Sequence, residues 1–151
     1  MTIIACVDKR MGLSFNGKAP SRDRVIARDI LESDECLNGI ITNERTARYL
    51  SDVAQDNAAE IAVLPDIEAV PDGDLMRLTN RAAVIETGSP EEIDALLALS
   101  DRVILYVWDT TYPYTERFPD MDALPGWTLA SEELLDGYSH AGVAKRTYEF
   151  I

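Results

Sequence analysis

Arg102-Val-Ile-Leu-Tyr-Val-Trp108 is the stretch on which the fold turns. It is apolar almost throughout and rich in β-branched and aromatic residues, so it is expected to be a central strand covered on both faces, as in a parallel sheet packed by helices. A polar loop follows over residues 109–116, then Arg117-Phe-Pro-Asp-Met-Asp122. Residues 127–132 and 141–150 read as a final antiparallel pair with no helix between them.

Upstream of this tail, strands and helices alternate. Ser89-Pro90-Glu91-Glu92 places serine at an N-cap, proline at N1 and glutamate at N3, a capping box that opens a helix over residues 90–99 with Ile93, Leu96 and Leu97 inward. Short apolar runs at Thr2–Val7, 37–42, 60–64 and 82–85 predict four more strands, the third stopped by Pro65. Residues 8–20 form a loop holding the turn formers Gly12, Asn16-Gly17 and Pro20. Ser21 is expected to cap a helix over residues 22–32, and Asn43 one through about residue 55, with Tyr49, Leu50 and Val53 inward. The pattern predicts one α/β domain over residues 1–151, with a mostly parallel sheet and an antiparallel edge.

A chain of 151 residues, 46% apolar, can bury one core. It lacks 18 uninterrupted apolar residues, so no transmembrane helix is expected, and its start reads as a strand, not a signal peptide. Cys6 and Cys36 make neither a disulfide framework nor a metal cluster, which points to a reducing cytoplasm. The net charge of −13 repels nucleic acid and anionic membrane, excluding both as expected partners.

Strand, crossing loop, F-P-D-x-D, Gly126-Trp127 and Thr147-Tyr-Glu-Phe150 together resemble the C-terminal part of dihydrofolate reductases. Ile4-Ala-Cys-Val-Asp8 and Gly12-Leu-Ser-Phe-Asn-Gly-Lys-Ala-Pro20 resemble that family's first strand and active-site loop. Ile40-Ile-Thr-Asn-Glu-Arg-Thr46 is similar to its V-x-M-G-R-x-T, and Ala82-Ala-Val-Ile-Glu-Thr-Gly88 falls where it has V-I-G-G. The resemblance covers the chain in order. It implies a three-layer fold, helices on both faces of a mostly parallel sheet with antiparallel C-terminal strands, that binds NADPH and a pteridine in one cleft. On this likeness Ala5, Cys6, Pro20, Ile26, Ile30 and Tyr106 line the substrate pocket, and Arg45, Thr46 and Gly88 contact the cofactor.

The departures from the family fall on its chemistry. Its pteridine-facing acid corresponds to Ile26; Asp23 and Asp29, three residues to either side, are the carboxylates that could replace it, against the simpler reading that both are solvated charges offsetting Arg22, Arg24 and Arg28. At the cofactor turn Asn43 reads as a helix cap and Glu44 opposes a phosphate. Glu86, Glu91 and Glu92 surround the next helix start, where each close carboxylate would cost a phosphate about 1–4 kcal/mol. Ala59 and Glu116 stand at positions of the family's substrate-binding arginine and of a threonine.

Outside this likeness, His140 reads as an exposed loop histidine and Cys6 as a buried, inert thiol, while Asp34 and Glu35 are expected to raise the Cys36 pKa. Asp109, Asp120 and Asp122 read as a polar rim, with no metal site expected. Tyr106, Trp108, Tyr112 and Tyr114 read as core and loop packing at a strand end.

The expectation is a dihydrofolate-reductase-like fold with a degenerate active site, acting without catalysis. It would bind a small neutral or cationic heterocycle in the old pteridine cleft, or a protein partner, with no cofactor. The alternative is a divergent NADPH-dependent reductase with Asp23 or Asp29 as the acid and Arg45 on a phosphate. A structural subunit that pairs through a sheet edge or aromatic loop is the third, and the oligomeric state stays open.

Overall fold

A computed structural model describes residues 1–71 and 81–151. Its sheet has seven strands among the described residues: β1 (Thr2–Val7), β3 (Ile40–Thr42), β4 (Ile67–Ala69), β5 (Ala82–Ile85), β6 (Arg102–Val107), β8 (Trp127–Leu135) and β9 (Val143–Phe150). Their spatial order is β4-β3-β5-β1-β6-β9-β8. The first five run parallel, and β9 lies antiparallel to both β6 and β8. A separate ribbon joins β2 (Gly12–Ser14) to β7 (Glu116–Arg117). Among the described residues the α-helices are α1 (Arg24–Glu32), α2 (Glu44–Asp56) and α3 (Pro90–Ala98).

Side-chain alternation along the strands makes two cores. Ile4, Ile40, Val84, Ile104 and Tyr106 meet Ile26, Ile30 and Leu31 of α1 and Leu50 and Val53 of α2. Ile3, Ala5, Val7, Val103 and Leu105 meet Ile93, Leu96 and Leu97 of α3 on the opposite face. Two helices below and one above is what the apolar run of β6 demands: Val103 to Tyr106 are all buried. No described helix is long and apolar enough to cross a membrane.

Several boundaries differ from expectation. α1 begins at Arg24, capped by Asp23, whose carboxylate accepts from the backbone N–H of Val25 and Ile26; Ser21 is not the cap. Aspartate and serine are comparable caps, so local sequence could not choose between them. β3 starts at Ile40, because Asp34–Cys36 forms a 3-10 turn and Gly39 takes a positive φ of 104°. Residues 60–64 are not a strand: Ile61 is buried from a loop, while Val63 and Leu64 face solvent. The strand lies beyond Pro65, at Ile67–Ala69, whose edge position leaves Glu68 and Ala69 exposed and removes the apolar signature. The loop over residues 8–20 contains β2 and a tight Asn16-Gly17 turn, with φ of 51° and 79° and reciprocal hydrogen bonds between Phe15 and Lys18.

The capping box is present in full: Glu92 N–H donates to Ser89 Oγ, and Ser89 N–H to Glu92 Oε1. Ser89→Ala is expected to lower stability by about 1 kcal/mol. Urea unfolding checks it, and a loss below a few tenths would mean that proline at N1 suffices.

Candidate functional site

The carboxyl ends of β1 and β5 meet the start of α1 and the first turns of α2 in a narrow cleft, where open α/β sheets place ligands. Its floor and walls are Ala5, Cys6, Ile26, Ala27, Ile30, Leu50, Tyr49, Val84 and Trp108. The mouth is closed by a clamp. Arg22 Nε donates to Glu86 Oε2 at 2.9 Å and its Nη2 to Oε1 at 2.6 Å, while the guanidinium lies 4.6 Å from the centre of the Tyr49 ring. Thr46 Oγ1 steadies Glu86 with a third hydrogen bond of 2.6 Å. The free space left inside is about 30 Å³, room for a water molecule or two, against about 300–1,000 Å³ in pockets that bind drug-sized molecules.

Asp23 closes one end of the cleft, with its side chain fully buried. Besides capping α1, it accepts from the N–H groups of Tyr138 (2.9 Å) and Ser139 (2.8 Å), from Ser139 Oγ, and from His140 Nδ1 at 3.1 Å. Burial alone would raise its pKa; the donors from Tyr138, Ser139, His140 and Ile26 outweigh this and hold it far below the usual carboxylate range. Asp23 is therefore a fixed anion at neutral pH, with no proton to give to a substrate. Gly137 makes the approach possible, since a Cβ there would lie 2.7 Å from Asp23 Oδ2.

His140 corrects the expectation of an exposed loop residue. It is 7% exposed, its ring centre is 4.3 Å from that of Trp108, and its Nε2 faces Ser21 Oγ at 3.1 Å and Tyr112 OH at 3.0 Å. The hairpin loop between β8 and β9 folds back onto the start of α1, a contact that no local pattern announces. Trp108 and Tyr112 pack around this network, while Tyr114 lies between Arg10 and Arg117 on the surface.

The corner where the resemblance expects phosphate holds a protein carboxylate instead. Glu116 Oε1 accepts from Ser14 Oγ, Thr87 Oγ1 and, at 3.2 Å, the N–H of Gly88. Burial raises the Glu116 pKa, but these three donors together bring it below the ordinary value. Glu116→Gln is expected to cost about 1–2 kcal/mol at neutral pH. Since the folded pKa is the lower one, that difference is present above the unfolded glutamate value near 4.3 and fades as the pH falls below it. Urea unfolding of both proteins at pH 7 and pH 3 checks this.

Beside that corner runs an open trough of about 310 Å³ lined by Gly17, Lys18, Ala19, Asn43, Arg45 and Arg48, with Glu44 and Glu86. Arg48 pairs with Glu44 and Glu86 with Arg22. Lys18 and Arg45 are exposed along it.

Of the residues named from the sequence, Ala5, Cys6, Ile26 and Ile30 share the cleft. Pro20 precedes it, and Tyr106 lies apart, buried with its hydroxyl donating to Asp29 at 2.6 Å. Asp29 also receives Lys145 at 2.9 Å and does not line the cleft. Arg24 pairs with Asp56, and Arg28 with Glu32 and Glu60, so neither offsets Asp23 or Asp29. Arg45 lines the trough, whereas Thr46 is bonded to Glu86 and Asn43, and Gly88 to Glu116. Burial, then the charges of Glu86 and Asp23, push the Cys6 thiol up out of reach of ionisation; burial and then Glu35 push Cys36 up to about 12. Neither thiol is a nucleophile at neutral pH. Asp120 caps a 3-10 turn over Met121–Ala123, and Asp122 accepts from Tyr148 OH. The chain matches no protein-family model and no curated protein.

Proposed function

We propose that this chain is a dihydrofolate-reductase-like protein without reductase chemistry, which binds a planar cationic amidine or 2-amino heterocycle in the cleft in place of the Arg22 guanidinium. The observation that carries the reading is the clamp. At the mouth of a mostly apolar cleft, a guanidinium is held by a two-pronged bond to Glu86 and stacked on Tyr49. Arg22 thus occupies the cleft as an internal ligand, and a molecule that meets the same two partners can exchange with it, because the clamp is part-exposed at 29% and 17%.

The loss of reductase chemistry is supported at three points. Asp23 is an anchored anion, Asp29 is turned to Lys145 and Tyr106, and Thr46 and Gly88 already serve protein carboxylates. The mostly parallel sheet with an antiparallel final pair supports the likeness of fold. The competing reading, an NADPH-dependent reductase, draws on the trough, where Lys18 and Arg45 offer positive charge to a phosphate.

Titration calorimetry at low salt separates the two. Benzamidine is expected to bind saturably, and NADPH to give no binding up to millimolar concentration with or without folate. Micromolar NADPH affinity would restore the reductase reading. Absence of benzamidine binding would remove the proposal.

A further inference from the structure

Ser21, His140 and Asp23 meet in the sequence hydroxyl, imidazole, carboxylate: Ser21 Oγ is 3.1 Å from Nε2, and Nδ1 is 3.1 Å from Asp23 Oδ2. Helix capping needs Asp23 alone, and anchoring of the hairpin loop needs Asp23 and the N–H groups of Tyr138 and Ser139. Neither explains a buried imidazole whose far nitrogen is turned toward two hydroxyls. The Asp23 carboxylate accepts a hydrogen bond from the Nδ1–H, and this tautomer leaves the Nε2 lone pair as an acceptor aimed at Ser21 and Tyr112. Trp108 packs against the ring at a tilt of 31°. A hydroxyl, a base and a group that orients the base is the arrangement that activates a serine nucleophile. Ser21 also lines the same cleft as Glu86 and Tyr49.

We propose that Ser21 is the nucleophile of an acyl-transfer site, with His140 as its general base and Asp23 as a positioning residue, for esters whose acyl group carries a planar cation. The substrate class rests on the binding reading above; the nucleophile does not. The cation takes the place of Arg22 on Glu86 and presents the ester carbonyl to Ser21. Ser21 Oγ bonds to the carbonyl carbon as its proton passes to His140 Nε2. The carbon–oxygen bond to the leaving group then breaks, and His140 returns the proton to the departing oxygen. Water, deprotonated by the same nitrogen, attacks the acyl-Ser21 ester; the bond from the carbonyl carbon to Ser21 Oγ breaks, and His140 returns the proton to Oγ, which releases the acid and the free serine. Arg22, freed from Glu86 by the substrate, supplies positive charge for the developing oxyanion.

The test uses the whole chain and two chromogenic esters, p-nitrophenyl 4-guanidinobenzoate and p-nitrophenyl acetate. The guanidinobenzoate is expected to release a burst of one p-nitrophenolate per chain, inhibited by benzamidine. Ser21→Ala removes the burst, and His140→Gln slows it by about 100- to 10,000-fold. Mass spectrometry is expected to place the acyl group on Ser21. No burst from either ester, or a burst that survives Ser21→Ala, overturns the nucleophile. A Ser21-dependent burst from the acetate alone, with no benzamidine binding, overturns the cationic substrate and the binding reading while upholding the nucleophile.

Discussion

Replacing Asp23 with alanine is expected to lower the free energy of unfolding by about 3–5 kcal/mol, the range for removing one partner from a buried charged network. Nothing solvates this carboxylate except the protein: Val25, Ile26, Tyr138 and Ser139 give it backbone N–H groups, and Ser139 and His140 give it side-chain donors. Alanine leaves those donors facing an apolar methyl group, and each buried orphan carries a desolvation cost. Asp23→Asn keeps the shape but points an NH₂ at groups that are themselves donors, so it recovers only part of the loss. The effect has a pH signature. The folded pKa lies below the unfolded value near 3.9, so the stabilisation is complete above that value and is lost as the pH falls through and below it. Urea midpoints for wild type and Asp23→Ala should differ widely at pH 7 and converge in acid. A gap that persists unchanged at pH 3 would show that the charge of Asp23 contributes nothing.

Removing Arg22 is expected to raise benzamidine affinity by about 10- to 100-fold. A charge-assisted, two-pronged bond with an aromatic face behind it contributes about 1.5–3 kcal/mol, and each 1.4 kcal/mol is a factor of ten. In the wild type an incoming cation must break that bond first; in Arg22→Ala it meets Glu86 and Tyr49 unoccupied. Arg22→Lys should fall between, because an ammonium lacks the planar fork. Titration of the three proteins checks the order. If affinity falls on removing Arg22, the arginine belongs to the binding surface instead of competing for it.

The sequence shows the order of strands and helices, the capping box of α3 and the caps of α2 and α3, since each depends on residues within one turn of one another. Edge strand β4 escapes notice because an edge needs no continuous apolar run. The candidate site is half visible. Ala5, Cys6, Ile26 and Ile30 follow from the likeness of the first strand and helix. The clamp does not, for Arg22 and Glu86 lie 64 residues apart and each looks like an ordinary solvated charge. His140 is misjudged for the same reason: its surroundings in the sequence are turn-like, and its burial depends on Asp23, Trp108 and Tyr112 brought from elsewhere. Glu116 at the Gly88 turn shows the reverse case, in which a position noticed as a departure from the family proves to be where an anion is supplied from within.

The tie between Asp23 and the final hairpin also spans most of the chain. The first helix of the chain is begun by a cap whose remaining donors arrive 115 and 116 residues later. At ribosomal speeds of about 5–20 residues per second, that delay is roughly ten seconds. Throughout it the nascent chain carries an exposed carboxylate where the finished one has a buried anion. Docking of the β8–β9 hairpin therefore closes the fold and the site in one late, long-range step, and substitutions in residues 137–140 should slow maturation of the newly made chain.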